Sequence, residues 1–288
     1  MIEVVPVPIK AALGIMAALL LVVGGGAGLN VLRARRLRRQ RADLMEEVGV
    51  LQTALLPEVP AHIGPLWISA AYRPADGPTA GGNFYDVFKL EGDSVGVVVG
   101  DVSGHGRGRL SDSTLARHTL RHYLKAGNSP ARTLAMARPR LEEDLAGELH
   151  TAIVASYDPR SGTLTHATLG EPAPLILDAQ GREAKPAITV DQAGQVRVQL
   201  PVGSRACLFT SGLAEARLEG SMLGRDGVRS VVAELGADLT AESLLEGVAA
   251  RARTLPGDLA ACVLEPDDDP ALLPAVTPDG REAHAVEG

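Results

Sequence analysis

Val97 to Gly108 reads "VVVGDVSGHGRG". An apolar, β-branched run is the mark of a buried strand, and here it delivers a single acid, Asp101, to a glycine-rich turn ahead of a helical stretch. A strand that ends this way presents a carboxylate to a cleft and leaves backbone carbonyls such as that of Val102 open, the oxygen donors that hard cations such as Mg²⁺ or Mn²⁺ require. An Asp before a turn also serves as a local cap, so the stretch gains weight only from what accompanies it. A phosphate-cradling reading of "GHGRG" is disfavoured, because no Lys follows at the P-loop position and the spacing misses the dinucleotide fingerprint.

Outward from this strand the periodicity alternates between two and 3.6. "LWISAAYRP" reads as a strand on one side; helical stretches from Ser111 to Ala126 and Pro130 to Leu145 follow on the other. "HTAIVASYD", "GTLTHATLG" and "APLILD" are three successive strands parted by turn residues, "ACLFTS" is a buried strand, "AESLLEGVAARAR" a helix and "LAACVLE" a last buried strand. Strand pairs interrupted by helix pairs define an α+β layered domain, antiparallel sheets covered by helices, over residues 57–265. The final residues 266–288 are rich in Pro, Asp and Ala without periodicity and are expected to be disordered.

The N-terminal part is of another kind. Residues 11–32 carry no charge and a single strongly polar side chain, Asn30, enough to cross a hydrocarbon core of about 30 Å. Arginines follow this run at once, whereas a cleavable signal carries its charge before the apolar stretch. The expected arrangement is a plasma-membrane anchor with residues 1–10 outside and the arginine side in the cytoplasm. Over residues 33–56, Leu37, Leu44, Val48, Leu51 and Leu55 fall on heptad positions. That seam suits a brief coiled coil joining two copies, or an amphipathic helix lying on the domain. Pro57 ends it.

Charge excludes one class of partner. Residues 1–41 hold seven basic side chains against one acid, a net +6 that leaves −13 for residues 42–288 out of the total of −7. An acidic main body with 3% aromatics speaks against nucleic acid. The two cysteines, Cys207 and Cys262, lie in apolar strands with no Cys or His at ligand spacing, so buried reduced thiols are expected rather than a metal site. His105, between two glycines, supports the turn. Arg73 faces either substrate phosphate or solvent. His118 and His122, with Arg117 and Arg121, belong to an exposed basic helix face.

The order of the stretches is more specific than any one of them. "LQTALLP", "YRPADGPTAGGNFYDVF", "VGDVSGHGRG", "HTAIVASYDPRSGTLTHATLGEPAPLIL", "LFTSGLAEAR" and "GDLAACVLE" together resemble the SpoIIE-like branch of the metal-dependent protein phosphatases (PPM type), from about Leu51 to Glu265. The resemblance implies a layered α/β/β/α sandwich with two Mn²⁺ or Mg²⁺ ions held by acidic residues at one edge. It also implies a metal-activated water that hydrolyses phosphoserine or phosphothreonine on a regulatory protein, often a STAS-type anti-sigma antagonist, under control of an N-terminal segment. Asp101, with the Val102 carbonyl, matches the bridging aspartate, and Asp258 the C-terminal metal aspartate.

Departures from the family pattern fall on the same site. Asn83 stands in "GGNFYD" where the family has an aspartate, and Ser211 replaces the aspartate of "TDG". Gly257 replaces an acid beside Asp258, and Glu171 a histidine. Asn83 keeps a carbonyl oxygen and Ser211 a hydroxyl, but neither brings charge, so one ion on Asp101 and Asp258 is easier to sustain than two. Asp86, three residues from Asn83, projects to the other face of a straight strand and does not compensate. Two functional classes stay open: a membrane-anchored phosphatase with a depleted site, and a pseudophosphatase that binds its partner without turnover.

Overall fold

The computed structural model describes Arg36, which is helical, and residues 56–75, 82–103, 108–184, 189–190 (backbone) and 194–267. The chain divides into two compact units, Met1–Glu47 and Val48–Gly288, and the strands and helices that follow all belong to the second. The expected membrane span over residues 11–32, nearly all of the linker over 33–56 and the tail beyond Asp267 lie outside the described residues. Among the described residues no helix is long and apolar enough to cross a membrane.

In chain order the elements are β1 (His62–Ile63), β2 (Leu66–Arg73), β3 (Asn83–Lys89), β4 (Val95–Ser103), α1 (Gly108–Lys125), α2 (Pro130–Asp144), β5 (Glu148–Asp158), β6 (Thr163–Leu169), β7 (Leu175–Leu177), β8 (Thr189–Val190), β9 (Val196–Gln199), β10 (Arg205–Phe209), α3 (Ser211–Glu215), α4 (Gly224–Leu235), α5 (Ala241–Arg251) and β11 (Leu259–Pro266). They form two antiparallel sheets, β1-β2-β11-β10-β7 and β3-β4-β5-β6-β9-β8. The layered α+β expectation is met: α1 and α2 cover one sheet, α3 to α5 the other.

Strand alternation explains the layering. Val95, Val97 and Val99 of β4 point between the sheets with Tyr85, Val87, Ile153, Leu208 and Cys262, while Val98 and Val102 point the other way against Leu120 and Leu141 of the helices. Gly96 and Gly100 lie on that helix-facing side opposite Phe88 and Phe84 of β3. A Cβ built at Gly96 would stand 2.6 Å from Phe88 Cε2, and one at Gly100 2.5 Å from Phe84 Cζ. The glycines that interrupt the valine run are therefore slots for the neighbouring rings. Ser129 caps α2, accepting from Arg132 N, with Pro130 at its first position, and Thr240 and Ser243 form a reciprocal capping box at α5.

Several boundaries differ from expectation. α1 begins at Gly108, three residues before Ser111. β11 runs to Pro266, and the Asp267 amide donates to the Pro65 carbonyl at 2.7 Å, so the domain passes the expected boundary at 265 by two residues. β7 does not continue the β5–β6 meander but crosses to pair with β10 in the other sheet. The helices α3 and α4 and the short strands β1, β8 and β9 went unassigned in the sequence, and Ser211, read there as the end of a strand, begins α3. His118 and His122 are exposed as expected. Their arginine neighbours are not: Arg117 is buried and Arg121 donates to the buried carboxylate of Asp86 at 2.7 Å, because Asp86 lies on the helix-facing side of β3 and has to meet a cation there.

Burial sets the state of several groups. Cys207 and Cys262 are free and fully buried, and burial pushes both thiols up, that of Cys207 to about 12. His166, 7% exposed on β6, is pushed by burial down to about 4. It is therefore neutral in the fold and protonates near 6.5 when unfolded, so it withdraws stability as pH falls from about 6.5 toward 4. Urea unfolding at pH 7 and pH 5 is expected to show the parent losing about 2 kcal/mol more between the two than His166→Gln; equal losses would contradict a buried neutral imidazole.

Candidate metal-site region

The expected site residues come together where the two sheets meet at the ends of β3, β4 and β11. β3 and β4 pair with Asn83 opposite Asp101, and the β4–β5 ladder shifts register between Asp101 and Val102. That irregularity re-aims the strand end.

Asn83 is buried and points toward the other sheet. Its Nδ2 donates to Thr210 Oγ1 at 2.7 Å and to the backbone carbonyl of Asp258 at 2.6 Å. A backbone carbonyl can only accept, so the atom facing it has to be the amide nitrogen. Thr210 Oγ1 also accepts from Ala260 N at 3.2 Å. Asn83 is thus a clasp between the sheets. An aspartate in the same rotamer would set oxygen against oxygen.

Asp258 is buried immediately before β11. Its Oδ1 accepts from Ala75 N at 2.9 Å, and the Tyr72 hydroxyl, pushed up by burial and then by the Asp258 charge, hydrogen-bonds to its carboxylate. Ser211 is buried in the first turn of α3, directly after Thr210. Gly212 beside it packs onto the Asp258 backbone so closely that a Cβ would overlap the carbonyl oxygen.

Asp101 has an acquired partner. Arg109, in the first turn of α1, places Nη2 3.5 Å from Asp101 Oδ1, while Nη2 and Nε donate to the Val102 carbonyl at 3.1 and 3.3 Å. Burial pushes the Asp101 carboxyl up to about 6; the guanidinium opposes the rise and the Asp258 charge adds to it. His150 and Glu215 act on Asp101 more weakly, in opposite senses.

Whether these residues suit a two-ion centre is decided by the donor set. Asp101 Oδ1 is a buried oxygen without a hydrogen bond, and with the Val102 carbonyl and Asp258 it makes a partial oxygen set. Against it, the cation facing Asp101 and Val102 is already supplied by Arg109, and Asn83 presents N–H. Among the described residues no group of three His, Cys, Asp or Glu converges to hold a metal ion. The described residues, as a donor set, do not fit two ions.

Arg109, Thr210 and Tyr72 were not singled out in the sequence. A signal did exist for Arg109: a cation one residue into the helix that follows a strand-end acid. Glu171 and Arg73 are exposed, and His105 lies outside the described residues.

The comparisons with known proteins agree with this fold. The SiaA-PP2C domain of Pseudomonas aeruginosa aligns with 80% of this chain and 98% of its own, with a TM-score of 0.62 and 22% identity. The structure of the RsbU and RsbW domains of Rv1364c from Mycobacterium tuberculosis aligns with 71% of this chain at a TM-score of 0.57 and 24% identity; the match spans 61% of that longer chain. RsbX in complex with magnesium aligns with 73% of this chain and 98% of its own at a TM-score of 0.53 and 12% identity. At such identities the likeness is one of fold, and the fold is that of the PP2C-type phosphatases. The profile of the Stage II sporulation protein E (SpoIIE) family matches residues 91–276, well over half of the sequence, and the chain belongs to that family.

Proposed function

We propose that this SpoIIE-family domain is a pseudophosphatase, a signalling module that recognises a phosphorylated regulatory protein, such as a STAS-type anti-sigma antagonist, without turning it over. The observation that carries this reading is Asn83: its amide N–H groups hold Thr210 and the Asp258 carbonyl, so the position that a metal-site carboxylate would take is spent on joining the sheets. The absent charge at Ser211 and Gly257 works in the same direction. Recognition without turnover needs the cleft and its surroundings but not a nucleophilic water. The apolar run over residues 11–32 and the arginines after it support anchoring in the plasma membrane with the domain in the cytoplasm, and residues 33–56 are the natural segment for pairing two copies.

A second reading, a slow phosphatase dependent on Mn²⁺ or Mg²⁺, is favoured by one observation: Asp101 and Asp258 are both kept, and the Asp258 charge helps to raise the Asp101 carboxyl. The two readings part in one assay. The full chain in detergent is given p-nitrophenyl phosphate and a phosphoserine peptide across a Mn²⁺ titration, beside Asp101→Asn. The parent is expected to release phosphate no faster than the variant. Release that rises with Mn²⁺ and vanishes in Asp101→Asn would establish the phosphatase instead.

A further inference from the structure

Arg109 sits where an ion would have to sit. Its guanidinium meets two oxygens, Asp101 Oδ1 at 3.5 Å and the Val102 carbonyl at 3.1 Å and 3.3 Å. Both side chains of the pair are largely withdrawn from water, 11% exposed for Arg109 and 15% for Asp101. Gly82 roofs the arrangement: its carbonyl accepts from Val102 N at 3.1 Å. A Cβ at Gly82 would stand 2.5 Å from Asp101 Oδ1 and from the Val102 carbonyl oxygen, and would overlap the guanidinium. Only a residue without a side chain leaves room for Arg109 to lie there.

The placement runs against local preference. Arg109 lies in the first turn of α1, which contains no acid, at the end of a helix where backbone N–H groups make a cation unfavourable. What holds it is the buried carboxylate, which in turn would be costly without a cation. Within the pair the two charges offset one another. A divalent ion on the same oxygens would be forced against a fixed positive charge a few ångströms away, at short range and low exposure to water.

We propose that Arg109 is a tethered cation that takes the place of a divalent ion on Asp101 and the Val102 carbonyl, and that it closes this pocket to Mg²⁺ and Mn²⁺. The fold then needs no metal, and a divalent ion enters only when the guanidinium leaves. This goes beyond the functional reading above, and it concerns occupancy of the pocket rather than turnover, so the two can fail separately.

The test reads Mn²⁺ directly. Free Mn²⁺ is followed by electron paramagnetic resonance during titration of the full chain in detergent, for the parent, Arg109→Ala, Arg109→Lys and Arg109→Ala/Asp101→Asn, with thermal unfolding in EDTA and in Mn²⁺ alongside. Arg109→Ala is expected to bind Mn²⁺ about tenfold or more tightly than the parent, and the added Asp101→Asn to abolish the gain. Arg109→Lys keeps a tethered charge and should resemble the parent. The parent's unfolding temperature should be the same in EDTA and in Mn²⁺, and that of Arg109→Ala should rise with Mn²⁺. A parent that binds Mn²⁺ as tightly as Arg109→Ala overturns the proposal. If Arg109→Ala does not fold in either medium, the parent decides alone: an unfolding temperature that rises with Mn²⁺ overturns the proposal, and one that stays fixed supports it.

Discussion

Gly212→Ala is expected to destabilise the domain by about 3 kcal/mol, a cost at the upper end for an added methyl group in a packed site. Helix preference alone points the other way, since Ala is favoured over Gly by about 1 kcal/mol inside a helix. The steric term outweighs it because the obstacle is main chain: the new Cβ would overlap the Asp258 carbonyl oxygen and stand 3.2 Å from its carbonyl carbon. A flexible side chain could swing away, but Asp258 is held by Asn83 Nδ2 on its carbonyl and by Ala75 N on its carboxylate. Moving it weakens both bonds. Gly257→Ala, whose Cβ meets nothing within 4 Å, is the control and should change stability by less than about 0.5 kcal/mol. Urea midpoints of the two variants settle the matter, and a Gly212→Ala protein as stable as the parent would mean that α3 does not press on β11.

Asn83→Asp is expected to cost about 4 kcal/mol at pH 7 in EDTA, although it restores the residue that the family pattern favours. Two donated hydrogen bonds disappear, and an oxygen replaces the nitrogen that stands 2.6 Å from the Asp258 carbonyl. A third carboxylate also joins Asp101 and Asp258 at a position only 3% exposed. The new carboxyl would titrate high, for the same reasons that raise Asp101, so its penalty should shrink as pH falls below its folded pKa. Unfolding at pH 7 and pH 5 beside Asn83→Ala, which loses the bonds without gaining charge, separates the two contributions. Equal stability of Asn83→Asp and parent at pH 7 would remove the clasp assignment.

Much of this architecture is written locally. The alternating valines of β4 and the continuous apolar runs of β10 and β11 announce their strands, and Ser129 with Pro130 marks the start of α2. α4 escaped because Gly224, Gly227 and a valine-rich core face, Val228, Val231 and Val232, depress helix preference although their spacing is helical. The crossing of β7 to the second sheet could not be read at all, since a three-residue strand chooses its partner by non-local pairing. At the site, Asp101 stood out because it breaks an apolar strand end at a turn, while Asn83 and Asp258 were placed by the family resemblance. Arg109 did not stand out: its role depends on where α1 starts and on the missing side chain at Gly82, neither visible from spacing.

The arrangement of β2 beside β11 bears on how this chain is made. These strands pair along their whole length, Leu66 with Pro266 through Arg73 with Leu259, and they lie at the middle of their sheet. The first long strand of this domain thus waits for its last one, while β3, β4, β5 and β6 can already zip together as near neighbours. Half of the sandwich can form before β11 has been made and the other half only once it has emerged, which makes folding slow and leaves an apolar strand face open in the interval. The same adjacency brings the two ends of the domain side by side, so joining them and opening the chain at the exposed turn near Gly181 should preserve both sheets.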